Sequence, residues 1–520
     1  MVFSSVEFLL FFLPIFLILY GITPEKMKNA VLLAGSLIFY AFGDVRYLPL
    51  LMMSVLINYF FGMHLDFGAG TKQTEGGKAD WNPGEGRREQ SGRDWNPGES
   101  RRDRSPEQVQ RGQSRNKDRA KKKSKTKEEI TNRNYAEKRL RKRHRLLLIA
   151  AVSFNVGVLA AFKYFIKGSL PLGISFYTFQ ILSYLIDVYR GEQEGETSFV
   201  CFATYVIMFP QLVSGPIVRY EEVRPALNKR KFTARSIQDG LKVFILGLAA
   251  KVLLADTIGL LWRDAEMVGF ESISTQLAWL AAIAYSLMLY FDFCGYSLMA
   301  IGLGKMLGFE LSVNFQTPYM ATTVRDFYRR WHMTLGRWFT KYIYIPLGGN
   351  RKGAFRTVCN LLVVWLLTAV WHGSTMNFLI WGMILWLAIV FERQMESMGL
   401  LKMLENGPGR LISHLYLWVV IPVSWMCFAI ADVQQLQVYL GRMFGLVPGI
   451  IVSRGDWIRA LESYWWLLLA GLAACTPVVM RLFRRFKDTL FGGIILVLLF
   501  WLCVWRLQKA GQNPFLYRDF

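Results

Sequence analysis

Apolar residues along this chain fall in long runs, of which Val243 to Leu261, Trp279 to Leu303 and Gly492 to Trp505 are three. A helix needs about 20 mostly apolar residues to cross the hydrocarbon core of a bilayer. Runs of this kind predict about ten to thirteen membrane segments, some not crossing fully, and hence an all-α polytopic membrane protein. Phe8 to Tyr20 is short and apolar like the core of a secretory signal. No basic stretch precedes it and no small-residue cleavage site follows it, so it reads as a retained first span.

Composition points the same way. Of 520 residues, 53% are hydrophobic, 15% aromatic and 19% charged, less charge than a soluble chain of this length usually carries. The 17 Trp and 22 Tyr suit anchoring at the two membrane–water boundaries. The six cysteines lie mostly inside apolar runs without metal-ligand spacing, and read as small buried thiols.

One segment breaks the pattern. Residues 64–145 hold 24 Lys/Arg against 13 Asp/Glu, a surplus of +11 within a whole-chain charge of +23. The segment carries an internal duplication, Asp80-Trp81-Asn82-Pro83-Gly84-Glu85 and Asp94-Trp95-Asn96-Pro97-Gly98-Glu99. With so few aliphatic residues it reads as a mostly disordered insertion, its last part from Lys117 to Arg145 able to form a helix leading into the next span. Nucleic-acid binding is one reading of such charge. A solvated linker beside anionic lipid is the one adopted, with no nucleic-acid partner. The expected organisation is therefore N-terminal membrane helices over 1–63, the insertion over 64–145, and a membrane core with C-terminal membrane helices over 146–520.

Charge also orients the chain. Basic residues from Lys138 to Arg145 abut the span that starts at Leu146, and belong in the cytoplasm. That puts the loop around Asp44 outside and Lys26 and Lys28 inside. A second basic loop, Arg219 to Arg235, would fall outside if Val200 to Ile217 crossed fully. Pro210 and Pro216 interrupt that run, so a re-entrant or broken segment is expected. A third basic stretch, Arg325 to Lys352, interleaves cations with Phe327, Tyr328, Trp331, Leu335, Trp338 and Phe339. It suits an amphipathic or re-entrant helix at the inner interface.

Five histidines are present. His64, His144 and His414 read as interfacial or solvated. His372 lies in a nearly uncharged stretch from Thr357 to Phe391 that is too long for one span. An ionisable residue there is a candidate general base, because burial favours the neutral imidazole that a base needs. A structural histidine bonded to a backbone carbonyl is the alternative. His332 sits among Arg329, Arg330 and Trp331, upstream of Gly348-Gly349-Asn350-Arg351. These residues could hold a phosphorylated or CoA-like donor, or simply face lipid headgroups. Asp292 could orient a histidine, pair with an arginine or fix helix packing, and the packing role is favoured.

Several of these motifs, in order, resemble the membrane-bound O-acyltransferase family and, within it, the bacterial alginate O-acetylase membrane-subunit group. They are Pro171-Leu172-Gly173-Ile174-Ser175-Phe176-Tyr177-Thr178-Phe179, Phe209-Pro210-Gln211-Leu212-Val213-Ser214-Gly215-Pro216, Asp326-Phe327-Tyr328-Arg329-Arg330-Trp331-His332, Pro346-Leu347-Gly348-Gly349-Asn350-Arg351, Trp371-His372-Gly373 and the ending Asn513-Pro514-Phe515-Leu516-Tyr517-Arg518-Asp519-Phe520. The resemblance implies re-entrant helices around a central membrane funnel in a multi-pass protein of the bacterial plasma membrane. It matches His372 to the family's histidine and His332 to a second motif position that is often Asn or His. It implies catalytic roles for both, with Arg329, Arg330, Trp331, Asn350 and Trp371 binding donor or substrate. In that reading His332, with Arg329 or Arg330, positions the donor or stabilises developing negative charge. It implies an acyl group, acetyl in this group, passed from acetyl-CoA or an acyl-carrier thioester to hydroxyls of an extracellular polysaccharide, or to a secreted or membrane-anchored acetyltransferase partner. No bound cofactor or metal is expected. The basic insertion departs from the family pattern, in which this loop is short. D-alanyl transfer to teichoic acid is the alternative within the class. A transporter or flippase is the alternative outside it, disfavoured by the lack of an internal repeat and the few intramembrane charges.

Overall fold

The computed structural model of the chain describes residues 2–66, 135, 138–166, 168–403, 407–447, 453 and 455–510. Most of the basic insertion and the ending Asn513–Phe520 lie outside the described residues. Among the described residues every regular element is a helix. The all-α polytopic architecture expected from the apolar runs is thus the one found. Among the described residues, eight helices are long and apolar enough to cross a membrane, nine if a bent pair counts as one span. Further segments of the expected number correspond to shorter helices.

The first helices are α1 (Phe8–Ile22), α2 (Lys28–Asp44), α3 (Leu48–Leu65) and α4 (Lys138–Phe165). Asp44 parts α2 from α3: its backbone is extended, and its carboxylate accepts the Arg46 amide at 3.3 Å. Arg46 and Tyr47 from this turn bond Ser169, just beyond α4, so both points lie at one end of the bundle. His64 at the end of α3 is exposed, as expected, whereas His144 in α4 is buried.

Next come α5 (Ile174–Tyr189), α6 (Phe199–Ile207) and α7 (Tyr220–Asn228). The nine residues of α6 rise only about 14 Å, half the hydrocarbon thickness. At Met208 the backbone turns extended, helix resumes briefly over Phe209–Leu212, and residues 213–219 run without helix. The stretch from Val200 to Ile217 therefore does not cross as one helix. Its non-helical part is enclosed by protein, which satisfies the rule for such backbone at membrane depth.

The spine of the fold is α8 (Ala234–Val268) against α9 (Thr275–Met306). Gly240 and Gly247 of α8 face Gly302 and Gly295 of α9. A Cβ on Gly247 would stand 2.5 Å from the Gly295 carbonyl oxygen, and one on Gly302 would stand 2.6 Å from that of Gly240. No side chain fits between the two backbones, as small-residue packing of membrane helices requires. One turn beyond Gly247, Lys251 Nζ lies 2.7 Å from Asp292 and 2.6 Å from Asp256, all within protein. A partner of Asp292 is thus a lysine inside the Val243–Leu261 run, and this ion pair links α8 to α9.

The stretch from Arg325 to Lys352 carries α10 (Val324–Arg330) and α11 (Met333–Phe339), the latter continued by a π-helical turn over Thr340–Tyr344, and both are too short to span. Behind them stand α12 (Ala354–His372), α13 (Met376–Ser397), α14 (Pro408–Ala429) and α15 (Val433–Met443). The chain continues through α16 (Asp456–Ala474) and α17 (Pro477–Phe486), which meet at 74°, to α18 (Leu490–Ala510).

Replacing Lys251 by Met strands two carboxylates without their cation. It should destabilise the folded protein by about 3–5 kcal/mol in thermal unfolding. The triple variant K251M/D256N/D292N should recover most of that, and a K251M protein as stable as the parent would contradict the clasp. Topology has its own test: a cysteine at Lys229 should label from the same face as one at Arg139. Labelling from the face of a cysteine at Arg46 would show that the 199–217 segment crosses after all.

Candidate active site

The site begins with the N-terminus of α10. Thr323 caps it, its hydroxyl accepting the Asp326 amide at 3.0 Å. The buried Glu392 carboxylate of α13 accepts the Val324 amide and, at 3.1 Å, the Arg325 amide, placing negative charge on the positive end of the helix. Arg325 then reaches Glu396, one turn further along α13, at 2.6 Å. These contacts fix α10 on α13.

After Trp331 the chain turns sharply. His332 takes a left-handed backbone, φ 44°, which only a few residue types adopt easily and which costs about 1–3 kcal/mol. The strand of chain before α10 holds the turn. Asn314 O accepts the Met333 amide at 2.9 Å, and Gln316 N donates to Arg330 O at 2.9 Å. The Asn314 side-chain oxygen lies 3.1 Å from His332 Nδ1. Phe293 of α9 packs edge-on against the imidazole at 4.7 Å. His332 is buried as a result.

His372 is the last residue of α12, and is also buried. Its ring lies among Trp371 at 4.7 Å, Trp381 of α13 at 5.0 Å and Phe428 of α14 at 5.2 Å. Gly373 ends the helix where the Phe378 ring closes over it, and a Cβ there would overlap that ring. From α4, Lys163 donates to the Trp371 carbonyl and the Tyr164 hydroxyl donates to the Val370 carbonyl. A cation on the closing carbonyls of α12 favours that helix end.

Both histidines line one cavity of about 940 Å³. Its buried part is imidazole and indole, from His332, His372, Trp331, Trp365, Trp381 and Trp425. Its more open part is cationic: six Arg/Lys side chains, Arg219, Arg325, Arg329, Arg337, Lys341 and Arg393, face it against the single acid Glu396. Arg219, Arg325 and Lys341 are each engaged by carboxylates. Arg329, Arg337 and Arg393 form no salt bridge among the described residues. Positive charge at the mouth raises the local concentration of an anionic ligand.

Of the residues singled out from sequence, His372, His332, Arg329, Trp331 and Asn350 line this cavity. Arg330 and Trp371 do not. Arg330 turns to Asp326 at 3.0 Å. Trp371 stacks on Phe179 of α5 at 5.2 Å, behind the histidine. Sequence reading missed Arg393, Trp381 and Trp425, which α13 and α14 bring in from far along the chain. It also missed Asn314, which carries no motif signal. Asp187, noted as the end of an apolar run, supports the mouth: it holds Lys341 at 3.0 Å and accepts the Tyr342 hydroxyl at 2.8 Å.

Comparison with known proteins bears on this geometry. The family model of membrane-bound O-acyltransferases matches residues 187–429, which contain both histidines. A Pseudomonas putida protein named "Probable alginate O-acetylase AlgI" is 30% identical over the full length of both chains. The chain belongs to the membrane-bound O-acyltransferase family. It is accordingly an O-acyltransferase and a multi-pass membrane protein. A peptidoglycan O-acetyltransferase of Helicobacter pylori is 30% identical over 86% of this chain and 80% of its own. A teichoic acid D-alanyltransferase of Bacillus subtilis is 26% identical over 41% of this chain and 56% of its own.

In this acyltransferase a methyl group at position 373 must push Phe378 away from His372. Gly373→Ala should lower turnover by about 10²-fold while the donor KM stays near that of the parent, because the cationic mouth is remote from the change. Unchanged turnover would mean that the aromatic cage does not set the histidine's position.

Proposed function

We propose that this acyltransferase moves an acetyl group from a cytoplasmic thioester to hydroxyls of an extracellular polysaccharide, directly or through a separate acetyltransferase, across the bacterial plasma membrane. One observation carries the reading: a single cavity joins an exposed cationic mouth to a buried pair of histidines. An acetyl-CoA or acyl-carrier thioester is anionic at its phosphates and neutral at its reactive end. It matches a pocket whose charge lies at the mouth and whose depth is aromatic. Arg329, Arg337 and Arg393 would hold the phosphates, and the indole walls the arm that carries the thioester.

His372 acts as the general base. The acceptor oxygen bonds to the thioester carbonyl carbon as its proton passes to the imidazole. Collapse of the tetrahedral adduct breaks the C–S bond, and the thiolate takes the proton back from the imidazolium. The donor's thiol is thereby released and the histidine regenerated. The acetyl assignment follows the activities for which the relatives matched over most of the chain are named. D-alanyl transfer rests on a shorter match.

His372→Ala should reduce acyl transfer by about 10²–10⁴-fold, read as the O-acetyl content of secreted polysaccharide in a complemented deletion strain. Membrane insertion and elution of the purified protein should stay unchanged. Near-normal acetylation with that variant would reject His372 as the base.

A further inference from the structure

Asn314 is the hub beneath His332. Its side-chain oxygen meets three groups: the Thr334 amide at 3.2 Å, the Thr334 hydroxyl at 2.9 Å and His332 Nδ1 at 3.1 Å. Its amide nitrogen reaches Ser297 Oγ of α9 at 3.1 Å. Thr334 in turn accepts the Ile217 amide at 2.9 Å, tying the hub to the buried non-helical stretch after α6.

This pattern fixes chemistry as well as position. A backbone amide can only donate, so the Asn314 atom facing Thr334 N is the carbonyl oxygen. His332 Nδ1 faces that same oxygen and therefore carries a hydrogen. A neutral imidazole has one ring hydrogen, so Nε2 is left with a lone pair. No carboxylate lies within salt-bridge distance of the ring among the described residues. Nε2 is buried and finds no hydrogen-bond partner among them, although the ring lines the cavity. An unmet acceptor in an otherwise well-satisfied hub awaits a donor from outside the protein.

We propose that Asn314 is a positioning residue that commits His332 to accepting a hydrogen bond, so that His332 Nε2 is the acceptor side of a subsite for a neutral O–H or N–H group of the bound substrate. The proposal rests on the acyltransferase reading of the cavity. It alters the role expected from sequence, because a neutral ring in this tautomer has no hydrogen to offer a developing oxyanion. The donating group is an amide N–H of the thioester's arm or the O–H of the acceptor.

The direct test is nitrogen-15 magnetic resonance of the full chain, labelled at histidine and held in lipid nanodiscs without substrate. With five histidines in the chain, a His332→Asn sample identifies the His332 signals by difference. The expected spectrum is a neutral ring protonated at Nδ1 with Nε2 bare, and in Asn314→Leu a shift towards the other tautomer. A ring protonated at Nε2, or an imidazolium at neutral pH, overturns the proposal. This readout needs no turnover, so it stands or falls separately from the acyl-transfer assignment.

Kinetics with acetyl-CoA as donor supply the second arm. Besides His372, the titratable groups that share the cavity wall with His332 are Tyr328, Tyr344, Glu396 and the six cations of the mouth, and none of them is altered. Asn314→Asp keeps the shape of the hub but sets a carboxylate against Nδ1–H. That favours the imidazolium, whose Nε2 can no longer accept, so the acid limb of the turnover profile should move to higher pH. An acid limb that stays put, or activity that improves at low pH, overturns the proposal. Asn314→Leu should lose at least tenfold in turnover. A raised donor KM alongside assigns the bonded group to the thioester arm, and an unchanged donor KM assigns it to the acceptor hydroxyl. Unchanged turnover and KM together overturn the proposal.

Discussion

The rest of the molecule depends on how closely α8 and α9 can approach. Membrane helices gain nothing from leaving water, because lipid tails are as apolar as their own side chains. Association has to come from packing and from polar contacts that hydrocarbon cannot replace. Here the glycines of the two helices let carbonyl oxygens rest where side chains would otherwise stand. That approach brings Lys251 within reach of Asp292. It also sets α9 as a fixed rail, from which Phe293 bears on the His332 ring and Ser297 on Asn314. A shift along this rail would reach the histidine before it reached any surface loop.

The outline of the fold was legible because a bilayer demands long apolar runs, and these survive in the sequence without any periodicity to decode. His372 was legible for a related reason, because an imidazole amid apolar residues stands out, whereas His332 was singled out by its basic neighbours and by the resemblance of its motif. What escaped was everything decided by rotation about a helix or by distant chain. Arg329 and Arg330 are neighbours in sequence but lie about 100° apart around α10. One faces the cavity and the other turns back to Asp326. The same step separates His372 from Trp371. Lys251 vanished into its run because averaging over a window hides a single cation. Asn314, an ordinary polar residue in an irregular stretch, acquires meaning only when the turn at His332 closes over it.

The cavity separates two electrostatic tasks by depth. Its mouth concentrates positive charge where side chains are exposed and long, and where an ion pair costs little desolvation. Its inner wall holds neutral rings, where an unpaired charge would be costly. In the proposed reaction, capture of an anionic donor and handling of a proton fall at opposite ends of one space, and neither has to compromise with the other. Buried carboxylates behind the lining do a third job. Glu392 and Asp187 steady the short elements that carry the cations.

The left-handed backbone at His332 has a bearing on which residues this position can hold at all. Steric crowding at positive φ disfavours the β-branched and bulky side chains and favours glycine, asparagine, aspartate and histidine. Of these, only asparagine and histidine bring a neutral polar group that can both reach back to a hub and offer an acceptor forward. Asparagine or histidine is what such a turn would select, before any demand of chemistry is considered. The peptide geometry acts as a filter on the possible reactive groups, and the imidazole found here is one of the few that pass.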